Sequence, residues 1–190
     1  MRAGLIGLVM GVTMNGAIQA ETPDQAAQAQ IAALTGVPAQ ALQLSPVQIP
    51  GLACGLVDAL DMRVKGPTAA QLVVQLPEGW ALVDSGDMGL RVLDACAHED
   101  SDPRALAGLL AMLHQPRLDA LSEVRLALVD TLLRKAGVAF QPPESRREGA
   151  AQHVSFMALG PDGQSLLRVD ARWQRGNSLT ITPEVLATVR

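Results

Sequence analysis

The residues best placed by type and spacing to do chemistry lie between positions 84 and 102. Asp84, Asp87, Asp94, Glu99, Asp100 and Asp102 form the densest acidic cluster, with Cys96 and His98 among them. Closely spaced carboxylates suit a divalent cation, but a calcium loop needs ligands at fixed spacing and a glycine at its sharp turn. The run Asp-x-Asp-x-Asp-Gly with a later Glu is absent. A solvated acidic loop is the simpler reading, with Asp102 capping a helix that starts at Pro103. Cys96-Ala97-His98 sets a thiol near an imidazole, yet zinc needs three or four such ligands. The other histidines, His114 and His153, have no ligand neighbour at helical or hairpin spacing. The sequence therefore points to no metal and no cofactor.

A hydrolase would need a nucleophile, a base and an orienting group. Ser85, in a strand-end turn, and His98 are the pair that would serve, with Asp84 and Asp87 as acids. The Gly-x-Ser-x-Gly elbow is missing, and a triad is recognised by geometry rather than by inventory. No catalytic residue is assigned on this basis. Arg168 and Arg172 fall on one side of a predicted strand with Asp170 between them. They could meet an anion or a partner, and together with Asp84 and Asp87 they form the candidate partner or ligand face. Arg146-Arg147, flanked by Glu144 and Glu148, is a weaker patch of the same kind.

Cys54 and Cys96 are the only cysteines. In an oxidising compartment an even pair reads as a disulfide. The compartment is indicated by the first twenty residues. Arg2 is followed by a short apolar run containing Leu5, Ile6, Leu8, Val9 and Val12, then by Asn15-Gly16 and the small residue Ala20. That order matches a cleavable secretory signal. The apolar run is too short to serve as a membrane anchor, which needs roughly 20 residues.

Residues 21–190 then read as one globular domain, long enough to bury a core. The net charge is −4, and about −5 without Arg2. This weighs against nucleic acid, which calls for a clustered basic face. It weighs equally against an anionic membrane surface. Aromatic residues are confined to Trp80, Trp173, Phe140 and Phe156, so the core must be built from Leu, Val, Ala and Met.

The elements that must position these side chains follow from periodicity. Thr22-Pro23-Asp24-Gln25 opens a helix with Ala27, Ile31 and Leu34 on one stripe, ended by Gly36. Alternation over Leu56–Val64 and Ala70–Leu76, about the turn Gly66-Pro67, predicts two strands, with Trp80–Val83 as a hairpin partner. A short helix is expected over Met88–Ala97 and another from Asp102 to His114. A third is expected from Leu118 to Ala136, with Leu121, Val124, Leu128, Leu132 and Ala136 on one face. Gln141–Ala150 reads as a surface loop. A three-stranded meander follows, with turns at Pro161-Asp162-Gly163 and Arg175-Gly176-Asn177, and a short helix from Pro183 onward.

Strands do not alternate regularly with helices, which weighs against a doubly wound parallel sheet. The expected fold is α+β: antiparallel hairpin and meander regions with a central helix pair packed on one face. The expected role is a non-catalytic binding or interaction protein of the cell envelope, periplasmic or secreted. Its partner would be another envelope protein or a small ligand. The alternative is a small secreted hydrolase using Ser85 and His98. N-terminal sequencing of the protein from its natural source should begin at or near Glu21. A mass that still includes Met1–Ala20 would contradict cleavage.

Overall fold

The computed structural model describes residues 25–52, 54–64, 70–98, 100–123 and 126–188. The signal segment, the Thr22-Pro23-Asp24 cap, the Gly66-Pro67 turn, Glu99 and Val124 lie outside the described residues.

Helix α1 (Gln25–Thr35) buries Ile31. It ends where Gly36 takes φ +69°, the left-handed geometry that glycine adopts without a Cβ clash. A single 3-10 turn leads into an antiparallel meander of four strands in chain order: β1 (Leu42–Val47), β2 (Gly55–Asp61), β3 (Ala70–Leu76) and β4 (Gly79–Leu82). Both faces of this sheet are covered. Leu42, Val57, Ala59 and Val73 pack with Ile31 under α1. Leu56, Leu72, Val74 and Leu76 face the opposite way into the main core. Burial on both sides explains the unbroken apolar run Leu72-Val73-Val74.

Helix α2 (Gly86–Cys96) buries Gly89, Val92, Leu93 and Cys96, the i, i+3, i+4, i+7 stripe of a one-sided helix. Helix α3 (Pro103–Leu113) differs. Ala105, Leu106, Ala107, Leu109, Leu110, Ala111 and Leu113 are all buried, which leaves it almost no solvent face. A helix apolar all round belongs between layers, and α3 packs on α2 and on the second sheet within the same core that takes up the inner face of the first sheet. Each fully buried leucine contributes about 1.5–3 kcal/mol relative to exposure.

The second sheet comprises β5 (Asp119–Ala120), β6 (Glu144–Glu148), β7 (Ala151–Leu159), β8 (Ser165–Gln174) and β9 (Ser178–Thr188), all antiparallel. Between β5 and β6, helix α4 (Leu126–Ala136) buries Val129, Leu132 and Leu133 against Met157 and Leu166, on the sheet face away from α2 and α3. The layers therefore run α1, first sheet, α2 and α3, second sheet, α4. The fold is α+β with two antiparallel sheets, but the two helices expected to pack as a pair on one face, from Asp102 to His114 and from Leu118 to Ala136, are separated by the second sheet. Helix α3 lies beside α2 between the sheets and α4 on the far face, because the apolar stripes of α3 and α4 meet opposite sides of β7 and β8.

Three segments differ from their local signals. The helix expected from Leu118 gives way at Asp119–Ala120 to a strand, and Leu121 N donates to Met157 O at 2.8 Å. Polar Glu144–Glu148 is a strand rather than a loop, paired with Ala151–Ser155. These two segments share one edge of β7, and backbone groups at such an edge must be paired or hydrated. The segment after Pro183 continues β9 to Thr188 instead of forming a helix. Pro183 fits there because β9 is an edge strand, where a missing N–H is tolerated.

Two ties hold the layers in place. Cys54, preceding β2, and Cys96, ending α2, stand at disulfide distance with Cα atoms 5.2 Å apart and a sequence separation of 42. A bridge closing such a loop stabilises by about 4 kcal/mol in the chain-entropy description. Arg117 Nη1 donates to Asp58 Oδ1 at 2.6 Å, joining the segment after α3 to the first sheet.

At the end of β2, Asp61 receives Arg63 Nε at 2.9 Å, Nη2 at 2.8 Å and the Arg63 backbone N–H at 2.9 Å. The guanidinium hydrogen bonds, then the backbone one, lower its pKa from 3.8 to about 2. A depressed carboxyl stabilises the fold above its unfolded value, and the contribution disappears as pH falls through the folded value. The stability lost in Asp61→Asn should therefore be constant above about pH 4 and shrink as pH drops toward 2. Urea unfolding of both proteins across that range checks it, and a pH-independent difference would refute the assignment.

Candidate functional site

Strand alternation gives the second sheet two unlike faces. On β8, Leu167, Val169, Ala171 and Trp173 are buried toward α2 and α3. Arg168, Asp170 and Arg172 point the other way. Successive residues of a strand point to opposite faces, so the antiparallel register then groups the outward side chains into cross-strand rows. Glu144, Ser155, Asp170 and Thr182 form one row. Arg146, His153, Arg172 and Thr180 form the next. Helix α4 covers this face only at its apolar end, over Met157 and Leu166. Both polar rows line an open groove of about 460 Å³.

Electrostatics sort these side chains into satisfied and unsatisfied groups. Arg146 Nε is drawn along its own strand to Glu148 Oε1 at 3.2 Å. Arg168 Nη1 lies 3.8 Å from Glu184 Oε2 on the neighbouring strand. His153 Nε2 is shielded from solvent and lies 3.2 Å from Glu148 Oε2, yet it lacks the geometry of a hydrogen bond. Arg172, Asp170 and Glu144 form no ion pair and no side-chain hydrogen bond among the described residues. Arg172 and Asp170 are two residues apart on one strand face, about 7 Å along the chain, and do not reach each other.

The candidates read from sequence separate into two places. Arg168 and Arg172 share the outer face. Asp84 and Asp87 stand at the N-terminal end of α2, which packs on the inner face, so the four do not form one surface. There Ser85 is the helix cap: its Oγ accepts from Met88 N at 3.3 Å. His98 lies beyond the opposite end of the same helix, where its backbone N–H donates to Ser101 Oγ at 2.9 Å. Eleven helical residues place about 16 Å between those ends, so Ser85 and His98 are not a nucleophile and base pair. Asp102 caps α3, accepting from Arg104 N at 2.7 Å. No group of three or more His, Cys, Asp or Glu side chains able to hold a metal occurs among the described residues.

His153, Ser155, Glu144, Thr180 and Thr182 were not singled out with Arg172 by sequence, although part of the signal was present. A hairpin centred on Asp162-Gly163 sets His153 opposite Arg172 and Ser155 opposite Asp170. The contribution of β6 could not be anticipated from a segment that reads as a loop.

Helix α2 fixes the outer end of this face from behind. Asp94 Oδ1 accepts from Trp173 Nε1 at 2.8 Å, and its Oδ2 accepts from Gly176 N at 2.8 Å. Gly176, at φ +66°, makes the β8–β9 turn, and Arg175 Nη2 donates to the Asp94 carbonyl at 2.7 Å. One carboxylate thus sets the end of the hairpin that carries Arg172 and Thr180.

Against protein-family models, curated proteins and solved structures, the chain matches none. Among the described residues, no helix is long and apolar enough to cross a membrane.

Asp94→Ala should lower the unfolding free energy by about 2–4 kcal/mol, because two hydrogen bonds to a charged acceptor are lost and a buried indole N–H is left unpaired. Urea denaturation followed by tryptophan emission measures this directly. An unchanged midpoint would show that the clamp contributes nothing to stability.

Proposed function

We propose that this chain is an exported, non-catalytic binding protein of the cell envelope, with periplasm as the preferred compartment, that holds a small charged ligand in the groove on the outer face of the second sheet. The observation that carries this reading is the pair Arg172 and Asp170. Both are exposed at the groove and neither is neutralised by another described residue. A purely structural surface tends to cross-pair its charges, as Arg168 and Glu184 do two residues away.

The size of the groove favours a small ligand over a protein partner. Small-molecule sites run to about 300–1,000 Å³, whereas a stable protein interface needs about 800 Å² from each partner. Protein interfaces also draw their strongest contacts from Trp, Tyr and Arg, and no Trp, Tyr or Phe lines this groove. Export is supported by the signal-like N-terminus, and the disulfide-distance cysteines are compatible with it.

Native mass spectrometry of the protein isolated gently from its own envelope fraction tests the reading. The wild type should carry a non-covalent small-molecule adduct that Arg172→Glu loses and the inner-face control Asp87→Arg retains. Equal adducts on all three proteins, or none on any, would overturn it.

A further inference from the structure

We infer that the groove recognises a compact zwitterion of the free α-amino-acid class, its carboxylate against Arg172 and its ammonium group against Asp170. The inference rests on the reading of the groove as a small-ligand site and specifies the chemistry of that ligand.

Charge complementarity at fixed spacing selects such a ligand. Arg172 is flanked across the sheet by His153 and Thr180, and Asp170 by Ser155 and Thr182. Each charged residue thus sits between neighbours that carry hydrogen-bonding atoms. Glu144, also without an ion pair, extends the acidic row. A simple anion drawn to Arg172 would meet the field of Asp170 and Glu144 about one strand repeat away, and a simple cation drawn to Asp170 would meet Arg172. Only a ligand carrying both signs is attracted at both rows. The rows are about 7 Å apart at the backbone. Charge-assisted hydrogen bonds close at about 2.7–2.9 Å, so the bridging molecule must hold its own charges closer together than the rows are. An α-ammonium carboxylate does so, whereas an extended ω-amino acid does not. The unpaired state of Arg172 and Asp170 follows from the same geometry, since the gap that keeps them apart is the space the ligand would span.

Titrating isotopically labelled protein with L-alanine, 6-aminohexanoate, acetate and methylammonium, while following the backbone amides of β7, β8 and β9 by NMR, tests this. Saturable shifts at these strands are expected with L-alanine. Arg172→Glu and Asp170→Asn should each weaken them at least about tenfold, equivalent to about 1.4 kcal/mol, and Arg172→Lys should recover part of the loss. Both side chains are exposed, so melting temperatures should stay near wild type and separate a lost site from a lost fold. Acetate or methylammonium binding as tightly as L-alanine would overturn the zwitterion, and equal binding of 6-aminohexanoate would overturn the compact geometry. If L-alanine fails while the native adduct persists, the zwitterion falls and the groove stands. If both are absent, the groove reading falls as well.

Discussion

A helix without a polar face has to be enclosed, and α3 is that helix. Its leucines and alanines are buried on nearly every side, so an element must cover each of them. The first sheet needs a partner for Leu56, Leu72 and Val74, and the second needs one for Val154, Phe156, Val169 and Ala171. The α2–α3 layer meets both demands at once. The alternation of small and large residues in α3, Ala105-Leu106-Ala107 and Leu110-Ala111, lets neighbouring elements approach closely while the leucines fill the remaining space. The ties at Cys54–Cys96, Arg117–Asp58 and Asp94–Trp173 all join an element of the central layer, or the segment following it, to one of the two sheets.

From that enclosure the character of the outer face follows. With its inner side committed to α2 and α3, the second sheet leaves only its other face open to solvent. Helix α4 takes the apolar end of that side, over Met157 and Leu166. The remainder must be polar, and the sequence makes it charged. A sheet built on a rigid core holds such side chains at defined spacing, because strand rise and inter-strand distance scarcely vary. Preorganisation of this kind lowers the ordering cost of binding, which is why a charged sheet face can act as a site where the same residues on a loop would be solvated.

The carboxylates that the fold occupies differ from those it leaves unpaired at the groove. Asp94 accepts from an indole and a turn amide, Asp102 caps α3, and Asp61 holds Arg63 at the end of β2. Each is occupied by the fold. Asp170 and Glu144 are not. Within one acidic chain, the distinction between structural and available carboxylates is set by whether a donor lies within reach, and residue type alone does not reveal it.

Much of the local architecture was legible in the residues themselves. The cap at Asp102, the stop at Gly36 and the alternation in β3, β7 and β8 depend on neighbours a few positions away, and short-range sterics and hydrogen bonding determine them. Of the expected α1 stripe Ile31 is buried but Leu34 is exposed, and the cap role of Ser85 emerged only from the structure. What the tertiary structure alone decided is long-range. Asp119–Ala120 and Glu144–Glu148 became strands because the edge of β7 needed pairing, a demand invisible in their own composition. Two sheets formed in place of one because α3 could be buried only between them. Arg172 and Asp84, both candidates on chemistry, were assigned to opposite sides of a sheet. His153 and Ser155 joined Arg172 and Asp170 through register. Local pattern specifies which face of an element is polar, but only packing specifies which polar faces meet.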